Sequence, residues 1–175
     1  RNVVFDWEVG DKARTDALFD QAAHVTRLTV VNNRVVVASM EARAALAEYD
    51  PGTERWTLHT NTQGGWILKG LLGQAVFKVP DDRFRIITPD VGGGFGMKLF
   101  LYAEHVLTCY AARKLGRPVK WTSERSEAFL SDTHGRDNIT QGELALDKDG
   151  KFLALRARNI ANMGAYLSTF APFIP

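Results

Sequence analysis

The stretch Pro89-Asp90-Val91-Gly92-Gly93-Gly94-Phe95-Gly96-Met97-Lys98 sets four glycines around one aromatic residue. A backbone without Cβ atoms lets a ligand come close. A helix beginning directly behind it would aim unpaired N–H groups forward, an arrangement suited to oxygen-rich anionic groups. The same composition also suits a tight structural turn. Spacing excludes two familiar nucleotide loops. A dinucleotide fingerprint needs glycines at positions one, three and six, but counting from Gly92 or Gly94 the sixth position is Met97 or Leu99. A phosphate-binding P-loop needs Gly-Lys followed by Ser or Thr, whereas Lys98 lies between Met97 and Leu99.

Gln63 is the second candidate. It falls between a strand ending at Thr60 and a helical pattern opening at Gly65, with a neutral amide whose two donors add no charge where negative charge must build up. A capping or loop glutamine would look the same. His134 has no second histidine or cysteine at metal-ligand spacing, and no Ser/His/Asp arrangement is recognisable, so His134-Gly135-Arg136-Asp137 reads as a hydrogen-bonded loop. Cys109 reads as a buried free thiol on a helix.

The elements that would position these residues follow from periodicity and turn chemistry. Short strands are expected at Val3-Val4-Phe5, Phe84 to Thr88 and Val119 to Glu124, and helical turns near Ala13 to Ala22 and at Ser126 to Phe129. The run from His24 and the segment Arg34 to Ser39 suggest a hairpin broken at Asn32-Asn33. Ala42 to Tyr49 and Arg55 to His59 suggest a second, joined by Asp50-Pro51-Gly52-Thr53. Gln141 to Leu146 and Phe152 to Ala161 suggest a third, across Asp147-Lys148-Asp149-Gly150. The helix from Leu99 to Leu115 is expected to bury Ala103, Val106, Leu107, Tyr110 and Ala111. The fold class is α+β: β-hairpins and a mixed sheet with two main helices, 65–77 and 99–115, packed on it in a single domain over 1–175.

With 175 residues, 45% of them hydrophobic and 24% charged, the chain is long enough for one core. A net charge of +2 without a basic run gives no electrostatic reason to expect nucleic acid or a membrane surface. One cysteine allows no internal disulfide. Without a long apolar stretch or a signal peptide the default location is cytoplasmic. The first residue is Arg1 and the chain stops at Ala171-Pro172-Phe173-Ile174-Pro175, just after a strand-like segment, which suggests a fragment of something longer.

Asp90 to Lys98, with Thr60-Asn61-Thr62-Gln63 at the family's distance upstream, resembles the signature of the molybdenum hydroxylases: the large subunits of xanthine dehydrogenase, aldehyde oxidase and carbon monoxide dehydrogenase. The resemblance extends through Met40-Glu41-Ala42-Arg43-Ala44-Ala45, Gly116 to Lys120, Glu124 to Glu127 and His134 to Asp137. It implies part of a molybdopterin-binding domain that takes a molybdenum-molybdopterin cofactor in the cytosine dinucleotide form. Gln63, Gly94, Phe95 and Gly96 would be the cofactor-binding residues, converging on one ligand cavity, with the matching glutamine donating to an oxygen on the metal. No metal ligand and no catalytic residue are expected from this chain, because the pterin dithiolene holds the metal and the family's base glutamate and active-site loop lie beyond Pro175.

The implied reaction is hydroxylation of an aldehyde, a CO-like or a heterocyclic small molecule with water as oxygen source. Electrons would leave through FAD-binding and 2Fe-2S iron–sulfur partner subunits. The remainder of the large subunit is a further partner, and the chain alone would be inactive. Purine-hydroxylating relatives carry a glutamate where this chain has Leu99, which argues against xanthine. Two departures stand out: Gly64-Gly65-Trp66 replaces the commoner sequence after the glutamine, and the usual prolines near Ser39 and Ala42 are missing. From a different class, a non-catalytic binding or structural module could keep the same fold without cofactor.

Overall fold

The computed structural model describes residues 2–173, so the chain end at Ile174 and Pro175 lies outside the described residues. In chain order the elements are α1 (Lys12–Asp20), β1 (His24–Asn32), β2 (Ala44–Asp50), β3 (Arg55–Thr60), α2 (Gly65–Gly70), β4 (Phe84–Ile87), α3 (Ala103–Leu115), β5 (Val119–Thr122), α4 (Arg125–Ser131), β6 (Asn138–Leu146) and β7 (Phe152–Ala161). The class is α+β, as the sequence suggests. The described residues divide into two compact units: one holds residues up to Asn33 with Arg136–Asn162, the other holds Arg34–Gly135 with the described residues from Met163 onward. Because the first unit draws on two stretches far apart in the chain, no local shift in composition marks its boundary.

In the first unit an antiparallel sheet has the order β1-β6-β7. Asp11 caps α1, its carboxylate accepting the Arg14 N–H at 3.0 Å. Beyond the end of β6, Asp147 accepts from the Asp149 and Lys151 backbones at 2.8 and 2.9 Å, while Gly150 takes φ +80°, the left-handed geometry that glycine tolerates. This hairpin is as the turn residues predict. The one expected after His24 does not form: β1 pairs with β6, His24 opposite Leu146 and Asn32 opposite Asn138. Alternation of apolar residues reports which face is buried and not which strand is the partner. Residues 34–39 contribute one isolated bridge, between Val35 and Gly135 in the second unit. Val3 to Phe5 are exposed and form no strand.

The second unit is built on a mixed sheet of order β4-β3-β2-β5, in which β3 and β4 run parallel and the other pairs antiparallel. Asp50 secures the β2–β3 turn by accepting from the Gly52 N–H and the Thr53 hydroxyl at 2.9 and 2.7 Å. The helix expected over 65–77 is present but changes pitch, α2 continuing as a π-helical turn from Leu71 to Phe77. Its side chains meet the sheet in a core of Ala45, Ala47, Trp56, Leu58, Leu68, Leu72, Phe84, Cys109 and Ala112. Trp56 stacks on Phe84 with centroids 4.7 Å apart and donates its indole N–H to the Cys109 carbonyl at 3.0 Å. Burial pushes the Cys109 thiol up to about 12, leaving it protonated and inert, as the sequence leads one to expect.

Two expectations for α3 are corrected. It begins at Ala103 and not at Leu99, because the chain makes a 3-10 turn at Met97–Leu99 and then extends through Phe100 to Tyr102, whose rings bury beside Met97. The glycine loop therefore does not feed a helix N-terminus. Helix α3 also buries His105, Thr108, Cys109 and Ala112, leaving Leu107 and Tyr110 61% and 46% exposed. A hydrophobicity pattern misplaces that face because two of its residues are polar and satisfied in place. Thr108 donates to the Glu104 carbonyl at 2.8 Å, and His105 lies 3.2 Å from the Thr60 hydroxyl.

That histidine gives the unit a pH dependence. The Thr60 hydroxyl donates to the Ala44 carbonyl at 2.7 Å and so accepts from the imidazole Nε2, while Nδ1 accepts the Tyr102 N–H at 3.3 Å. The neutral Nε2–H tautomer satisfies both bonds. Burial, then the nearby Arg43 charge, outweigh Glu104 and lower the imidazole from 6.5 to about 4. Between those values only the unfolded chain takes up the proton. The stability contributed by the neutral ring is thus complete above pH about 6.5 and falls by about 3 kcal/mol as the pH drops toward 4. His105→Gln is expected to flatten that part of the stability–pH profile, read from urea midpoints between pH 7 and pH 4.5.

Candidate functional site

Topology explains why two distant motifs meet. Strands β3 and β4 are neighbours and parallel, with Thr57 beside Arg85 and His59 beside Ile87, so the loops that follow them leave the same edge of the sheet. The loop after β3 carries Gln63 and the loop after β4 carries the glycines. Gly96 N–H donates to the Gln63 amide oxygen at 2.8 Å. The Gln63 N–H and the Thr62 hydroxyl both donate to the Lys98 carbonyl, at 3.1 and 2.9 Å. Gln63 and Gly96 are thus in direct contact, while the cavity that opens at Gln63 has none of Gly94, Phe95 and Gly96 in its lining. The amide has its oxygen engaged and its NH₂ end left to donate, where the sequence suggests a corner glutamine with both ends open.

Each glycine has a local reason. Gly93 and Gly96 take φ of +92° and +86°, and the intervening Phe95 is held at φ +51° and is 76% exposed. At Gly92 a Cβ would come within 2.5 Å of the Glu41 Cβ, and at Gly94 within 2.4 Å of the Gln63 Cδ. The Gln63 side chain therefore lies across the bare Cα of Gly94. At Gly96 a Cβ would meet nothing within 4 Å, so the loop opens to free space at the residue whose N–H is tied to Gln63.

Lys98 ends the glycine stretch and Glu41 lies in the segment Met40 to Ala45, yet residue type and spacing give neither a role. The Glu41 carboxylate accepts the Gly92 N–H at 2.8 Å and the Lys98 ammonium at 2.9 Å, and its own N–H donates to the Gly92 carbonyl at 3.0 Å. Burial would raise its carboxyl, but Lys98, the Gly92 N–H and Asn61 outweigh burial and hold it below the ordinary value. The Lys98 side chain is fully buried. A lysine beside four glycines reads as a solvated cation, and no sequence signal marks it as interior.

Behind the loop lies a second buried cluster, foreshadowed in sequence only by Arg43 within Met40 to Ala45. The Arg43 guanidinium reaches Asp132 at 2.6 Å, Glu104 at 2.9 Å and the Ser131 hydroxyl at 3.1 Å, and stacks 3.6 Å above the Tyr102 ring. Tyr102 donates its hydroxyl to the Met97 carbonyl at 2.9 Å, which ties this cluster to the end of the glycine loop. His134-Gly135-Arg136-Asp137 is a loop as expected: Gly135 pairs with Val35, and Arg136 and Asp137 are left-handed at φ +69° and +66°.

A cavity of about 500 Å³ opens beside Gln63, lined also by Thr62, Gly65, Trp66, Lys69, Ile86 and Thr88. Leu99 covers the Gly64 backbone, where a Cβ would come within 2.7 Å of its Cδ1. The donors at the Gln63–Gly96 pair are a neutral amide and backbone N–H groups, and among the described residues no group of three or more His, Cys, Asp or Glu could hold a metal ion. No described helix is long and apolar enough to cross a membrane. A bare-backbone turn facing open space, with a fixed amide beside it, fits an oxygen-rich group that needs neutral hydrogen-bond donors.

Comparison with known proteins gives a consistent picture. Residues 1–175 match the family described as the molybdopterin cofactor-binding domain. The carbon monoxide dehydrogenase large chain of Hydrogenophaga pseudoflava is 35% identical over 165 residues, 94% of this chain and 20% of that protein. The 6-hydroxypseudooxynicotine dehydrogenase complex subunit gamma of Paenarthrobacter nicotinovorans is 34% identical, across 91% of this chain and 20% of its own length. Among solved structures, a Cu,Mo-CO dehydrogenase superposes with a TM-score of 0.82 at 34% identity, covering 90% of this chain and 20% of the other. Quinoline 2-oxidoreductase from Pseudomonas putida 86 gives 0.78 at 38% identity, covering 87% and 19%. The chain spans about a fifth of the length of the curated relatives it matches.

Proposed function

Because this chain belongs to the molybdopterin cofactor-binding domain family, we propose that it is the cofactor-holding portion of a molybdenum hydroxylase large subunit. In this reading residues 1–175 work as one part of a larger cytoplasmic assembly whose other subunits carry FAD and 2Fe-2S clusters. The cofactor is molybdenum-molybdopterin in its cytosine dinucleotide form. The substrate is an aldehyde, a CO-like molecule or a heterocycle, hydroxylated with oxygen from water, and the base glutamate is supplied by another part of the large subunit. When bound, the cofactor supplies the redox chemistry. This chain binds and orients it: Gly94 leaves room for the Gln63 side chain, Gly96 fixes the amide through its N–H, and the Gln63 NH₂ and the Phe95 backbone are the donors left to meet the cofactor.

The observation that carries the reading is the 2.8 Å bond from Gly96 N–H to the Gln63 oxygen, since it orders an amide that would otherwise be a free surface side chain. The test is the molybdenum and acid-released cytidine monophosphate content of the full-length protein purified from its natural assembly. About one of each per large subunit is expected, whereas neither would leave the non-catalytic module as the better reading.

Gly94→Ala separates the site from the fold. An alanine Cβ would displace only the exposed Gln63 side chain, and Gly94 is not among the glycines with positive φ. Unfolding should therefore stay within about 0.5 kcal/mol of wild type. Turnover of the full-length enzyme should fall by about a hundredfold as the amide loses its place, a loss comparable to removing one oriented donor. Unfolding curves and steady-state rates on the same preparation check both parts.

A further inference from the structure

We propose that Glu41 and Lys98 form a buried-charge clamp that positions the glycine loop, with Glu41 acting as a positioning residue for the Gln63–Gly96 pair. The inference rests on the reading that this loop holds the cofactor. Glu41 grips the entry of the loop at Gly92 three times, through a carboxylate bond to its N–H, a backbone bond to its carbonyl and close packing over its Cα. Lys98 grips the exit: its carbonyl receives the Gln63 N–H and the Thr62 hydroxyl, while its buried ammonium runs back to the same Glu41 carboxylate oxygen. One carboxylate thus ties together both ends of the loop, and through Lys98 the segment carrying Gln63. The spacing between the Gln63 amide and the Phe95-Gly96 backbone is set by this closed circuit.

The asymmetry of burial makes the circuit testable. The Lys98 side chain is 0% exposed and the Glu41 side chain 41%. Removing Lys98 leaves a carboxylate that water can solvate, whereas neutralising Glu41 leaves an interior ammonium with no opposing charge, the costlier defect. In the full-length enzyme, Glu41→Gln should therefore speed hydrogen exchange in residues 92–98 by about tenfold or more while α3 stays protected. Lys98→Met, whose unbranched side chain fills the same channel, should have a smaller effect. The double variant Glu41→Gln/Lys98→Met should exchange more slowly than Glu41→Gln alone and retain more molybdenum, because the amide oxygen introduced at position 41 can still accept from Gly92 and no charge is stranded. A pair that contributes only general stability would give additive losses and no such recovery.

Exchange in Glu41→Gln equal to wild type would overturn the proposal, and so would a double variant worse than Glu41→Gln. If Glu41→Gln alone fails to assemble, recovery of assembly in the double variant supports the clamp and its failure there overturns it. Absence of molybdenum from the wild-type protein would sink the functional reading while leaving the exchange ranking intact as a test of the clamp.

Discussion

Gly96→Val in the full-length enzyme is expected to lose both cofactor and turnover while α3 stays folded. Gly96 sits at φ +86°, where a β-branched residue is strained by about 1–3 kcal/mol, and its N–H is the donor that fixes Gln63. A valine side chain would also project into the free space before the loop, where nothing in this chain lies within 4 Å of a Cβ. Strain that turns the N–H away frees the Gln63 amide, and losing one oriented donor costs about a hundredfold or more in rate, to which steric exclusion of the cofactor adds. Molybdenum content measured alongside far-ultraviolet circular dichroism separates loss of the site from loss of the fold. Full occupancy with normal turnover would mean that the glycine stretch is only a turn.

Arg43→Met should produce the largest loss of stability, about 3–5 kcal/mol, because it strands buried carboxylates. The Asp132 side chain is 2% exposed and the Glu104 side chain 19%, and both lean on the one guanidinium. Burial would raise the Glu104 carboxyl, but the Arg43 bonds outweigh burial and hold it low. Methionine restores most of the volume and none of the charge, so the expected loss comes from the unpaired carboxylates together with the stacking on Tyr102. The damage should reach the site, since Tyr102 holds the Met97 carbonyl and Arg43 lies two residues from Glu41. Urea unfolding of the variant against wild type gives the energy. A change below about 1 kcal/mol would show that the cluster relaxes to water when broken.

The parts legible in the sequence are those whose cause is local. Asp50 and Asp147 write their own turns through side-chain oxygens two residues from the amides they accept, and the two hairpins follow. Gln63 and the glycine loop are legible together because each follows a strand-like run, and parallel pairing of those strands is enough to bring them to one edge.

What escapes a sequence reading is long-range or polar. Pairing of β1 with β6 depends on a partner far downstream, and the false hairpin at 34–39 shows how alternation alone misassigns it. Periodicity places helix α3 one face off because His105 and Thr108 are interior, each with its hydrogen bonds met by Thr60 or the preceding turn. It also starts the helix too early, because Leu99 continues an apolar pattern that the left-handed Gly96 and the buried rings of Phe100 and Tyr102 interrupt. Lys98 and Arg43 are invisible as core residues for a common reason: a buried cation is recognisable only from the carboxylate that faces it, and Glu41, Glu104 and Asp132 arrive from other parts of the chain.

The central claim is that the Gln63 amide and the Gly94–Gly96 backbone hold the cofactor, and a crystal structure of the full-length enzyme with its metal located by anomalous scattering tests it most directly. The Gln63 nitrogen and the Phe95 backbone are expected within about 3 Å of cofactor atoms, hydrogen-bond distance for both. A cofactor seated more than about 10 Å from both, far outside hydrogen-bond reach, would contradict the account.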